Sequence, residues 1–204
     1  MTLMSMIRLA AVAAGALSLS ACALLSSPKP VQTYRFGAAQ EVGAETAPGT
    51  VLRAISLRNV EFPEAVEGDR ILGVTGTETA YIKDVRWVSR AQDLYTDSLE
   101  GAFARSNRVR LVGSGELIKG DRSLDLDVRS FEARYDAPGA APTVVVSVRA
   151  RVLTLPERAV AAERTFTVEQ PASGNRVSAI VEAFDIATRD LNTQLVAWTE
   201  ANAG

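Results

Sequence analysis

Apolar residues recur at every second position through most of this chain, and two stretches switch to the three-and-four spacing of a helix. Ser123–Tyr135 alternates, with Leu124, Leu126 and Val128 on one side and charged residues on the other; Phe131 joins the apolar side if a bulge or kink shifts the phase. Asp136-Ala137-Pro138-Gly139 turns the chain, and the valine-rich run Thr143–Leu153 returns. A turn at Pro156-Glu157 and a third run, Ala159–Glu169 with Phe166 and Val168, complete an antiparallel meander. Upstream, Val51–Val60 reads as a strand with Val51, Arg53, Ile55 and Leu57 on one face, stopped by Pro63. Thr33–Phe36, Arg70–Val74, Glu78–Val88 and Val109–Val112 are further strand candidates, and Pro63–Gly68 has room for one helical turn.

The helical stretches are Ala91–Ser106, with a stripe of helical period formed by Leu94, Tyr95, Leu99, Ala102 and Phe103 and an N-cap expected near Ser89, and Arg176 to about Ala201. In the second, Val177, Ile180, Val181, Phe184, Ala187, Leu191, Leu195 and Trp198 form one long apolar stripe after Gly174-Asn175. The fold class that follows is α+β: a mostly antiparallel sheet with two amphipathic helices packed on one face. There is no internal repeat, and 33–204 reads as a single domain.

The N-terminus has a different pattern. Arg8 precedes an apolar run from Leu9 to Leu19, and Ser20-Ala21 supply small residues before Cys22. These are the three parts of a secretory signal, assigned to 1–21. Leu19-Ser20-Ala21-Cys22 looks like the bacterial lipobox, in which the cysteine becomes the acylated first residue of the mature chain. The run is too short and too rich in Ala, Gly and Ser for a spanning helix. Cys22 is also the one cysteine in the sequence, so no intramolecular disulfide competes for it. Ala23 follows it rather than the Asp that in enteric bacteria tends to retain lipoproteins at the inner membrane, which favours the outer membrane. Residues 22–32, with Pro28 and Pro30 among serines, read as a lipidated flexible tether.

Composition narrows the chemistry. The 204 residues carry a formal charge of -2 and no histidine, with 47% hydrophobic residues. That balance supports a sizeable core and argues against nucleic acid, which requires clustered cations. It also removes the commonest general base and metal ligand. Asp125, Asp127 and Glu132 could be offered as an acid–base set, but their alternation with Arg129 and Arg134 reads as a solvated sheet face. Gly113-Ser114-Gly115 lacks the flanks of a nucleophile elbow or a phosphate loop and reads as a hairpin turn. A serine nucleophile would need a lysine base, and Lys29, Lys83 and Lys119 stand in no such motif. No catalytic residue, metal site or cofactor is expected. Trp87 and Trp198 sit on or beside apolar stripes, where core packing competes with a role as partner contact.

Tyr34-Arg35-Phe36 after the tether, Val60-Glu61-Phe62-Pro63-Glu64, Arg70-Ile71-Leu72, Tyr81, Arg86-Trp87-Val88, Leu94-Tyr95 and Leu99 together resemble the ABC-type transport auxiliary lipoprotein family, which includes PqiC-like and YmbA-like proteins. The resemblance runs from the lipobox nearly to the C-terminus. It implies a non-catalytic component of a system with an ABC permease, its ATPase and an MCE-domain protein, moving lipid or other hydrophobic molecules. The lipoprotein would sit at the outer membrane, facing the periplasm, and meet the MCE protein there, with homo-oligomers left open. Cys22 carries over as the lipidated residue; Trp87, Tyr81 and Arg86 are the candidate partner contacts. Two other readings stand beside docking: a direct lipid carrier with a helix-on-sheet groove, and an envelope-assembly lipoprotein supporting an outer-membrane β-barrel machine.

Overall fold

The computed structural model of the chain describes residues 31–37, 53–113 and 120–203. Its elements are β1 (Gln32–Tyr34), β2 (Arg53–Glu61), α1 (Glu64–Glu67), β3 (Leu72–Thr75), β4 (Glu78–Tyr81), β5 (Val85–Trp87), α2 (Ala91–Phe103), β6 (Val109–Val112), β7 (Arg122–Tyr135), β8 (Thr143–Thr154), β9 (Val160–Pro171) and α3 (Val177–Asn202). The chain divides into two units, Met1–Val31 and Gln32–Gly204. The signal, Cys22 and most of the tether lie outside the described residues.

The sheet is assembled on β7. One of its edges pairs with β8 antiparallel from Arg122 to Arg134. On its other edge, β2 lies parallel to the first half, up to Asp127, and β3 lies parallel to the end, Ala133–Tyr135. β6 extends the sheet beyond β2 in parallel, while β4 beyond β3 and β9 beyond β8 are antiparallel. The architecture is therefore α+β with a mixed seven-stranded sheet. Its longest ladders are the antiparallel ones expected from the β7–β8–β9 meander; the parallel pairings come from strands separated by long connections.

Two bulges set which residues enter the core. In β7 the register shifts between Val128 and Ser130, so Arg129 is the extra residue. Leu124, Leu126 and Val128 face inward before it, and Phe131 and Ala133 after it, all at most 2% exposed. A one-residue insertion exchanges the two faces of a strand, which is how a period of two is kept across a phase change. In β2 the shift falls between Leu57 and Asn59 and turns Val60 inward after Ile55.

α2 and α3 cover one face of this sheet with the stripes read from sequence: Leu94, Tyr95, Leu99 and Phe103 on α2, and Ile180, Phe184, Leu191 and Leu195 on α3 are buried. α2 begins at Ala91 as expected, but its N-cap is Arg90 rather than Ser89, and no side chain caps it. The Ala91 amide instead donates to the Gly68 carbonyl at 2.8 Å, so the cap is backbone from the α1 region. The run Glu78–Val88 is not one strand. Asp84 takes a positive φ of 59° and divides it into β4, which belongs to the main sheet, and β5, which pairs in parallel with β1 in a separate two-stranded sheet.

An aromatic cluster fills the space under α3. The Phe131 ring lies 4.8 Å from Phe184 and 5.0 Å from Phe36, and Trp87 lies 4.9 Å from Phe36 and 5.3 Å from Phe184. Gly37, next to Phe36, has φ +61°, and a Cβ there would fall 2.5 Å from the Ser98 Cβ, so glycine is required on both counts. Its amide donates to Asp185 Oδ1 at 2.8 Å, fastening the segment to α3.

Polar groups also enter the α2–α3 layer. Asn192 Nδ2 donates to Ser98 Oγ at 3.2 Å, whereas the Tyr95 hydroxyl finds no partner among the described residues. Burial pushes the Tyr95 pKa well above the usual tyrosine range.

Two outcomes follow for stability. Phe131→Ala removes the ring that four others touch and is expected to cost about 3–5 kcal/mol in urea unfolding, with Phe131→Leu costing well under half of that. Tyr95 stays neutral in the folded protein at pH values where the unfolded chain ionises it. Its contribution is therefore level below about pH 10 and is lost as pH rises above it. Tyr95→Phe should leave neutral-pH stability unchanged or raise it by about 1 kcal/mol. The same change should flatten the decline in urea midpoint as pH rises above about 10.

Candidate functional site

The carboxylates that invited an acid–base reading are engaged in ion pairs on the sheet face away from the helices. Asp127 pairs with Arg129 at 2.6 Å, Glu132 with Arg134 at 2.7 Å, and Asp125 approaches Arg58 at 3.8 Å. Across the β8–β9 ladder, Arg149 and Glu163 meet at 2.8 Å. Hydrogen bonding to Arg149 holds the Glu163 carboxyl below its ordinary pKa, and the same bond raises that of Arg149. Among the described residues no group of acidic, cysteine or histidine side chains is placed to hold a metal ion. Of the Gly113-Ser114-Gly115 turn only Gly113 is described, and Lys29 and Lys119 lie outside the described residues; Lys83 is exposed.

The three candidate contact residues have separate surroundings. Trp87 is 2% exposed and enclosed by Phe36, Phe131 and Phe184, so its side chain serves the core. Alternation accounts for this: in β5 Val85 and Trp87 point inward and Arg86 outward. Arg86 is on the surface, where Nη1 donates to Asp69 Oδ1 at 2.8 Å. Tyr81 is half-buried at the end of β4. Its hydroxyl donates to the Ala65 carbonyl at 3.0 Å and the Arg70 guanidinium lies 3.6 Å over its ring. That stacking and hydrogen bond fix the ring against α1 while one side of the residue remains at the surface. Trp198 is likewise half-buried, edge-on to Phe166 at 5.7 Å.

Beside Tyr81 lies a groove of about 570 Å³, bounded by β4, Tyr135 at the end of β7, the Pro138-Gly139 turn and Asn175 ahead of α3. Residue spacing did not indicate it, because it forms where β3 and the end of β7 meet in parallel. The signal that was present is Gly73: a Cβ there would come within 3.2 Å of the Tyr135 ring and press it aside, so a residue without a side chain suits the floor of the groove. Among the described residues no helix is long and apolar enough to cross a membrane.

No curated protein matches this sequence. Among solved structures, a Xanthomonas campestris protein of the DUF330 family is similar at 26% identity, over 84% of this chain and 93% of that one, with a TM-score of 0.67. The hypothetical protein CT253 of Chlamydia trachomatis shares the fold at a TM-score of 0.51 and 11% identity, over 75% of this chain and 98% of its own. Residues 34–196 match the family model of the ABC-type transport auxiliary lipoprotein component, a transport accessory rather than a catalytic family, and with that match spanning most of its length the chain belongs to this family.

Proposed function

We propose that this protein is a non-catalytic docking component of an MCE-containing ABC-type system that moves lipid or other hydrophobic compounds. It is anchored to the outer membrane through acylated Cys22 and faces the periplasm, with its domain reached through the 22–32 tether. Membership of an auxiliary lipoprotein family supports the association with an ABC transporter and an envelope membrane. The lipobox supports the anchor: each acyl methylene contributes about 0.8 kcal/mol, so two or three chains hold a protein firmly. Ala23 supports the outer membrane over the inner.

The observation that carries docking over lipid carriage is the occupied helix–sheet interface. A carrier of this architecture would open space between α2, α3 and the sheet. Here that layer holds Phe36, Trp87, Leu99, Phe131, Phe184 and Leu191, each at most 2% exposed. An acyl chain would have to displace the aromatic cluster. Contact with the MCE protein is assigned to the surface around Tyr81 and Arg86, beside the buried Trp87.

Affinity purification of the intact lipoprotein from mild-detergent envelopes, with mass spectrometry of the recovered proteins, tests the role. The expected result is recovery of an MCE-domain protein with its permease and ATPase. Consistent recovery of a β-barrel assembly instead, with no MCE protein, contradicts it. The anchor is tested separately by metabolic labelling with palmitate: the wild-type chain should incorporate label and Cys22→Ala should lose it, whereas label persisting in Cys22→Ala would place acylation elsewhere.

A further inference from the structure

β4 ends the main sheet. It pairs with β3 in the register Thr75↔Glu78, Val74↔Thr79, Gly73↔Ala80 and Leu72↔Tyr81, and the Ile82 amide donates to the Ile71 carbonyl at 2.9 Å. Because backbone groups alternate along a strand, Glu78, Ala80 and Ile82 direct their amides to β3, while the N–H and C=O of Thr79 and Tyr81 point outward. Among the described residues no strand pairs with that outer edge, and Glu78, Thr79 and Ala80 are all exposed. An edge left in this state is a template for another strand.

The groove beside Tyr81 runs along this same edge. Ala80, Ile82, Tyr135 and Pro138 give it apolar walls, and among the described residues Glu78 is the one charged side chain lining it. No hydrogen bond or ion pair engages the Glu78 carboxylate among the described residues, in contrast to the paired acids of β7 and β9. β9 is also an edge strand, but it carries Glu163, Arg164 and Glu169 along its length, a pattern that discourages strand addition.

We infer that the β4 edge receives an extended segment of the MCE-domain partner as an added strand, an inference that rests on the docking role. Backbone hydrogen bonds to Thr79 and Tyr81 supply affinity and alternate side chains supply selectivity. Charge complementarity defines the segment: a Lys or Arg beside Glu78, and an apolar residue two positions along, over Ala80, Ile82 and Tyr135. The Arg70–Tyr81 stack and the Tyr81–Ala65 hydrogen bond hold the edge rigid before the partner arrives.

The test uses the intact lipoprotein and the MCE-domain protein of the same envelope. Thr79→Pro removes an outward amide, which an edge strand tolerates, and Glu78→Lys reverses the charge. Both are expected to weaken co-purification by at least about tenfold with unchanged thermal melting, since each removes part of the strand contact. In the wild-type complex, hydrogen exchange should slow at the Thr79 and Tyr81 amides. If the wild type binds and both variants bind equally well, with exchange at these amides unaltered, the edge inference fails and the docking role stands. If the wild type does not bind the MCE protein at all, both fail. Protection of Thr79 that appears with lipoprotein concentration alone would assign the edge to a second copy of this chain and overturn the partner assignment.

Discussion

The packing of Phe131 against Phe36, Phe62, Trp87 and Phe184 is the interaction on which the rest of the domain depends. These five rings come from the N-terminal segment, the end of β2, β5, β7 and α3. Elements far apart in sequence thus meet on one side chain, which reaches them because the bulge at Arg129 reverses the phase of β7. Without that extra residue Phe131 would face the charged side of the sheet, and Ser130 would replace it under α3. Offset and edge-on ring contacts of this kind add to the area they bury. The same cluster holds the segment through which the chain enters the domain. Phe36 is inserted among the rings, and Gly37 is fastened to Asp185 immediately after it.

Much of this was legible in the sequence because burial leaves a period. Both long helices and the three long strands follow their apolar stripes, and even the bulge in β7 was foreshadowed by Phe131 standing one position out of phase with Val128. Periodicity does not encode which edges pair. Parallel placement of β2 and β3 along the free edge of β7 depends on crossovers whose geometry is tertiary. The division of Glu78–Val88 at Asp84 was hidden for a related reason: the sequence alternates through a residue whose backbone turns the chain into a different sheet. The N-cap of α2 lies one residue beyond Ser89 because a backbone carbonyl at Gly68, not a side chain, satisfies the first amide of the helix.

The candidate site was legible only in part. Trp87, Tyr81 and Arg86 are close in sequence but divide among an interior, an edge and a surface ion pair. A tryptophan on a strand can be read as core or contact from its neighbours' polarity alone, and the three aromatic residues that enclose it arrive from the segment after β1, from β7 and from α3. The groove needs the meeting of β3, β4 and the end of β7, to which only Gly73 gives a local clue. The division of labour that results is coherent: an interior closed by aromatics, a sheet face neutralised by paired charges, and, among the described residues, an unpaired edge beside an unpaired carboxylate. Protein surfaces that stay monomeric tend to protect such edges, so the contrast between β9 and β4 falls where a docking role would place it.

The claim most exposed to contradiction is that this domain grips a partner and carries no lipid in its core. Native mass spectrometry of the intact lipoprotein, released from mild-detergent envelopes, measures it directly. The expected mass is that of the acylated chain, with no further lipid retained after the detergent is stripped. A stoichiometric, non-covalently bound lipid, lost when Phe131 or Phe184 is replaced, would contradict it and establish a carrier.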